Sequence, residues 1–161
     1  MIVVRRTYVP KAGHGGQMLA LHHVPSVLTH CVHGDDVYLV PRPSGELLVG
    51  ATVERVGFQR AVTAEAIAGL LHAALELVPA LGGLPITRTW YGFRPWAQDS
   101  LPVLGPWPGV DGLFVATGHF RNGILLAPIT ARLMTEWICE GAPSIAVKDF
   151  LPERFARKAS G

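Results

Sequence analysis

Gly118-His119-Phe120-Arg121-Asn122-Gly123-Ile124-Leu125-Leu126-Ala127-Pro128 joins two segments of different periodicity. Ahead of it, residues 113–117 (Leu-Phe-Val-Ala-Thr) form a short, mostly apolar run, the pattern of a buried strand in a parallel sheet. Behind it, Leu126, Ile129, Leu133 and Trp137 recur at helical spacing with Arg132 and Glu136 between them, which predicts a helix over residues 124–140 that stops at Gly141. The segment is therefore a strand-loop-helix joint. Such a joint aims the free N–H groups of a helix's first turn, and the positive end of its dipole, at whatever lies beyond the loop. An electron-rich or anionic ligand belongs there, with Gly118 and Gly123 letting the backbone approach it and His119, Arg121 and Asn122 supplying donors. A plain glycine-punctuated turn is the alternative, which spacing alone leaves equally open. Pro128 has no N–H, so the helix either starts late enough to keep it near the first turn or bends there.

Upstream, residues 86–94 read as a strand. With period 2, Arg88, Trp90, Gly92 and Arg94 share one face and Thr87, Thr89, Tyr91 and Phe93 the other. Gly92 removes a side chain where something else must fit, and Arg94, followed by Pro95, ends the strand with a forked guanidinium. A bidentate grip on a carboxylate suits that fork; a surface salt bridge is the commoner fate of a lone arginine. Residues 99–106, rich in proline, read as a connection into the strand at 113.

Two apolar runs, 37–41 and 46–50, flank Arg42-Pro43-Ser44-Gly45 and predict a β-hairpin, with Pro41 and Pro43 placing its strand end at a sheet edge or rim. Residues 16–21 and 27–30 read as two further strands. Thr63 is a good N-cap, and Ile67, Leu70, Leu71, Ala74, Leu75 and Val78 follow on one helical face, so a helix packs on the hairpin sheet and ends at Pro79.

A chain of 161 residues with 49% hydrophobic and 16% charged residues excludes disorder and suffices for a core. A net charge of +2 without a basic run gives no case for nucleic acid as a partner. The N-terminus has no apolar run of signal-peptide length, and no stretch is apolar enough for a membrane span, so a cytoplasmic protein is expected. Cys31 and Cys139 are far apart and read as reduced thiols. His22, His23, His30 and His33 cluster in sequence without ligand spacing, so no metal site is expected.

Taken together and in order, Tyr38-Leu39-Val40-Pro41, Val49-Gly50-Ala51-Thr52, Trp90-Tyr91-Gly92-Phe93-Arg94-Pro95, the stretch from Asp99 to Gly105 and the one from Gly118 to Pro128 resemble the carboxyl-terminal half of the D-amino-acid oxidase superfamily of FAD-dependent oxidoreductases. Glycine oxidases of thiamine biosynthesis are the group most like it. The resemblance covers roughly residues 16–155, and Pro152-Glu153-Arg154-Phe155 resembles the family's usual ending. It implies an α+β fold: an antiparallel or mixed-sheet substrate domain over residues 16–105, then over 106–161 the last strand and helix of an FAD-binding domain, with residues 1–15 unassigned. By the same resemblance Arg94 binds the substrate carboxylate and Tyr38 lies beside it. His119, Phe120, Arg121, Asn122, Gly123, Ile124 and Leu125 line the flavin and part of the substrate pocket, with Arg121 nearest the substrate.

The implied activity is FAD-dependent oxidative deamination of glycine or a small amino acid. Departures temper it. No strand with Gly-x-Gly-x-x-Gly for the FAD pyrophosphate is present, Gly15-Gly16-Gln17 stands where the family has Arg-Gly-Gln, and Val53 replaces a frequent methionine. The chain therefore reads as about half an enzyme, completed by a missing N-terminal half or partner chain, and holding little FAD by itself. A dehydrogenase passing electrons to a quinone fits the same motifs. A non-catalytic remnant or small-carboxylate-binding module without FAD is the other reading. In the half-enzyme, Phe114, Val115, Ile129, Leu133 and Trp137 are expected to lie uncovered, so that the chain either self-associates there as a homo-oligomer or shows this region as its most mobile part.

Overall fold

The computed structural model describes residues 14–156. Its fold is α+β with antiparallel sheets, as the resemblance implied, and the chain divides into two compact units, Ala12–Phe93 and a second one carrying Arg94–Gly161. No helix among the described residues is long and apolar enough to cross a membrane.

The first unit is built on a five-stranded sheet in the order β2-β3-β4-β1-β5. Its strands are β1 (His14–His22), β2 (Val32–His33), β3 (Tyr38–Pro41), β4 (Glu46–Gly50) and β5 (Ile86–Arg94), the last residue of β5 belonging to the second unit. The predicted hairpin is β3–β4, paired antiparallel from Tyr38↔Gly50 to Pro41↔Leu47 and closed by the Arg42 N–H donating to Glu46 O at 2.8 Å. β2 pairs only with Tyr38 and Leu39, so Pro41 lies beyond its reach and leaves no ladder bond unmade on that side. β1 continues the sheet beyond β4, from Met18↔Gly50 to His22↔Glu46.

Register brings Leu19 beside Val49 and Leu21 beside Leu47, with Leu39 on the far side of Val49. These five are at most 1% exposed. The predicted helix, α1 (Ala64–Leu77), covers them: Leu70 and Ala74 are buried in the same cluster, and Ile67, Leu71, Leu75 and Val78 pack against it. Thr63 caps α1 by accepting the Ala66 N–H at 3.3 Å, and Val78 closes it just before Pro79. Residues 27–30 do not form the expected strand. The N–H groups of Val27 and Leu28 are taken by the His23 ring instead of a neighbouring chain, and pairing resumes only at β2.

Buried Gln17 was silent in the periodicity. Its Nε2 donates to the Glu54 carboxylate at 2.9 Å and its Oε1 accepts the Thr63 N–H at 2.7 Å, tying the start of α1 to the sheet.

In the second unit, β6 (Val103–Pro106) and β7 (Phe114–Thr117) pair antiparallel, Val103 opposite Thr117 and Pro106 opposite Phe114. This corrects two expectations. Residues 103–106 are a strand rather than mere connection, and the run at 113–117 is half-buried and antiparallel rather than buried and parallel. Prolines confine themselves to the ends of β6, which is why a Pro-rich segment still makes a ladder. After a 3-10 turn at Phe120–Asn122, α2 runs Gly123–Glu140 and stops at Gly141, whose φ of +86° is the left-handed cap that glycine favours. Pro128 lies in the second helical turn and is exposed. Beyond α2 come a 3-10 turn at Lys148–Phe150 and the short α3 (Glu153–Ala156).

Leu133 and Trp137 of α2 are not left wet. With Leu104 and Val147 they form a core against which Phe114, Met134, Phe150 and Leu151 pack. Phe114 and Val115 are half-buried, and Ile129, at 38% exposure, is the one of the five expected residues that stays open. Glu136, which interrupts the apolar stripe, is buried and latches the helix end. It accepts the Ser144 N–H at 2.6 Å and the Arg132 guanidinium at 2.7 Å, and these bonds, with the Ser144 hydroxyl, hold its carboxyl below the usual range.

Arg154 makes five donations, to both oxygens of Asp99 and to the carbonyls of Phe150, Leu151 and Leu101. The Arg154 guanidinium, and then the Leu101 N–H, lower the Asp99 pKa against the opposing effect of burial. Arg154→Ala is expected to cost roughly 1.5–3 kcal/mol in chemical denaturation near neutral pH. A depressed carboxyl stabilises above its unfolded pKa and loses that contribution as pH falls through the folded one, so the wild-type advantage over the variant should shrink in acid. An advantage unchanged on acidification would show that the ion pair is not its source.

Candidate functional site

The joint singled out in the sequence sits in the second unit together with Arg94. Arg94 ends β5, half-buried, and the next two residues are fastened to the loop: the Phe120 N–H donates to Pro95 O at 2.8 Å, and Trp96 bridges His119. Two segments 25 residues apart in sequence thus meet through backbone bonds, which fix the strand end and the loop as one piece.

Around the joint the side chains divide. His119 turns back onto α2, its Nε2 lying 2.9 Å from Thr130 Oγ1, and burial pushes its pKa below the ordinary imidazole value. It is therefore not part of an outward fan of donors. Phe120 is half-buried with a φ of +51°, a left-handed conformation that costs a non-glycine residue about 1–3 kcal/mol and is held by its bond to Pro95.

The two glycines behave otherwise than expected. Gly118 has φ +78°, and a Cβ on it would lie 3.3 Å from Ala97 Cβ and 3.4 Å from Leu101 O, so its close approach is to the 97–103 segment and not to a ligand. Gly123 is helical, and a Cβ there would make only an ordinary 3.6 Å contact with His119. Among the described residues nothing demands glycine at 123.

What remains open is the tip. Arg121 and Asn122 are exposed, Asn122 makes no side-chain capping bond to α2, and Ile124 and Leu125 are 94% and 78% exposed. Two aliphatic side chains in the open, beside first-turn N–H groups and a guanidinium, fit the edge of a flat ring that is apolar on its face and polar at its rim. This is what a flavin ring presents. No Gly-x-Gly-x-x-Gly turn occurs in the chain, so the residues present fit the ring of FAD and not its pyrophosphate.

The two faces assigned to β5 by period 2 are seen in its contacts. Arg88 stacks 4.6 Å from the Trp90 ring while its Nε and Nη2 donate to the two Glu46 carboxylate oxygens at 2.9 and 3.0 Å, and Tyr91 and Phe93 lie together on the other face with Phe58. Around Gly92 the space is open, with no atom within 4 Å of a Cβ built there.

Tyr38 belongs to the first unit, where it opens β3 half-buried, its hydroxyl 3.7 Å from Met18 Sδ. Gly50, opposite both, makes room for it: a Cβ at 50 would come within 3.0 Å of that hydroxyl. Also in the first unit is a cavity of about 360 Å³ lined by Gln17, Thr52, Glu54, Thr63 and Glu65 among others, and by none of the predicted site residues. Gln17, Thr52, Glu54 and Thr63 bond to one another there, so those groups serve the fold. Among the described residues no three His, Cys, Asp or Glu side chains are grouped to hold a metal ion.

An antiparallel sheet under one helix is thus followed by a strand-loop-helix joint open at its tip. Comparison with known proteins places the chain: the FAD dependent oxidoreductase (DAO) model matches residues 5–137, and the chain belongs to that family. It is 46% identical over 145 residues to the bifunctional protein ThiO/ThiG of Synechocystis, covering 87% of this chain and 22% of that protein. To the glycine oxidase of Pseudomonas putida it is 36% identical over 138 residues, covering 86% and 38%. The crystal structure of glycine oxidase from Geobacillus kaustophilus superimposes with a TM-score of 0.80 at 35% identity, again over 86% of this chain and 38% of the other. The chain thus spans well under half the length of these relatives.

Proposed function

We propose that this chain forms the substrate-carboxylate and ring-edge side of an FAD-dependent oxidase acting on glycine or another small amino acid. One observation carries the reading. The Pro95–Phe120 bond and the Trp96–His119 bridge hold the arginine-bearing strand end against the loop whose tip offers N–H groups and exposed aliphatic side chains.

In this reading Arg94 grips the substrate carboxylate with its fork, and Tyr38 is assigned to the same carboxylate by the family resemblance alone. Arg121 stands nearest the substrate, and Ile124 and Leu125 cover the ring edge and keep water from it. The first-turn N–H groups of α2 stabilise negative charge at the ring's polar rim. Bound FAD supplies the oxidant for the substrate Cα–H bond; the residues of this chain orient that bond and fix the acid end of the molecule. The first unit serves as the substrate domain, and the second, which carries Arg94, contributes the closing strands, loop and helix of the FAD domain. The pyrophosphate and ribose are held by a dinucleotide-binding portion outside these 161 residues, on the same or a partner polypeptide.

The purified 161-residue chain is accordingly expected to be colourless. Its visible spectrum after gel filtration checks this, and a stoichiometric flavin band would overturn the division of labour between the two portions. If the completed protein is also colourless, the family member is a carboxylate-binding module without FAD.

A further inference from the structure

The histidine cluster at 22–33 has no part in the function proposed above. His23 nevertheless sits where histidines do specific work. It is 3% exposed, and its Nε2 lies 2.7 Å from both the Val27 and the Leu28 backbone nitrogens. A backbone N–H only donates, so Nε2 is the acceptor of two bonds and carries no proton. Both bonds therefore exist only with the neutral ring that has its proton on Nδ1. An imidazolium has no lone pair, so protonation would turn both contacts into donors facing a donor. Two amides would then lose their partner at once.

We infer that His23 is a proton-operated clasp on the loop that joins β1 to β2. Closed, it brings the chain back over four and five residues and seats Leu28 against the core cluster of the sheet and α1. Opened by acid, it releases residues 24–30 and unseats Leu28 while β1 stays in place. The backbone of His23 is held independently, its N–H donating to Gly45 O at 2.7 Å, so only the ring and the loop change state.

The surrounding charges do not offer a substitute acceptor. In the hairpin, Glu46 is engaged by Arg88 of β5 and influenced by Arg42. On α1, His72 and Glu76 pair with each other at the surface. Asp35 and Asp36 are exposed ahead of β3, and the loop and strand end themselves contribute His22, His30 and Cys31, all exposed, with the His30 ring bonded to Thr29.

Nuclear magnetic resonance on the full 161-residue chain tests the clasp. The ring nitrogen shifts of His23 should show a bare Nε2 at about pH 8. As the sample is acidified from about pH 8, the exchange protection of the Val27 and Leu28 amides should fall at least tenfold relative to core amides such as Leu47. In His23→Gln, whose side-chain carbonyl accepts at any pH, those two amides should keep the same relative protection across the range. A protonated Nε2 at about pH 8, or wild-type protection that does not change relative to the core, would overturn the inference. So would a loss in His23→Gln equal to that of the wild type.

Discussion

Arg94→Ala in the completed oxidase is expected to raise KM for amino-acid substrates by the equivalent of about 2–5 kcal/mol of lost binding, the usual cost of removing one partner of a buried charged pair. The effect should depend on the substrate. Amines of similar size without a carboxylate should be almost indifferent, since they never use the fork. Arg94→Lys should recover only part of the loss, because an ammonium keeps the charge and loses the two-point geometry. Steady-state kinetics with matched pairs of acids and amines checks this, and equal losses for both classes would refute a carboxylate role. The prediction rests on placement: Arg94 is half-buried at a strand end whose next residue is bonded to the loop.

Trp137→Ala is expected to destabilise the second unit by about 3–5 kcal/mol, the range for removing a large aromatic side chain from a core. Trp137 is 8% exposed and packs with Leu104, Leu133 and Val147. Its ring also lies so close over Gly105 that a Cβ there would come within 3.1 Å, at a backbone φ of +117°. Ile124→Ala, on the same helix but 94% exposed, should be nearly neutral in the isolated chain. Urea unfolding of the two variants checks the contrast. A Trp137 variant as stable as wild type would mean that α2 draws its core from outside these residues.

Elements carried by local pattern were legible in the sequence. The β3–β4 hairpin follows from two apolar runs about a Pro-Ser-Gly turn, and α1 follows from a Thr63 cap and an uninterrupted apolar face. The end of α2 follows from Gly141. What escaped was decided by side chains reaching across the chain. Whether residues 27–30 pair depends on the His23 ring, and whether Glu136 is exposed depends on Ser144, eight residues on. Neither acceptor leaves a periodic trace.

At the site, Arg94 and the 118–125 joint were readable because each has its own local signal, a strand-ending arginine and a glycine-flanked strand-to-helix switch. Their adjacency was not, since it rests on two backbone contacts between residues with no mutual pattern. His119 shows the same limit. Its residue type suggested an outward donor, and Thr130, about two turns along α2, takes its ring instead. The orientation of residues 113–117 was misjudged because an apolar run of five fits either sheet type, and its partner lay in a proline-rich stretch.

In the proposed function this chain holds the acid end of a small amino acid against an FAD ring borne by another portion of the protein. Anaerobic mixing tests it most directly: the chain, assembled with its dinucleotide-binding portion and loaded with FAD, is mixed with glycine while the visible flavin band is followed. The band is expected to bleach in the wild type and to persist in Arg94→Ala at the same glycine concentration. A band that stays oxidised in the wild type with glycine and with every other small amino acid, while the flavin remains bound, would contradict it.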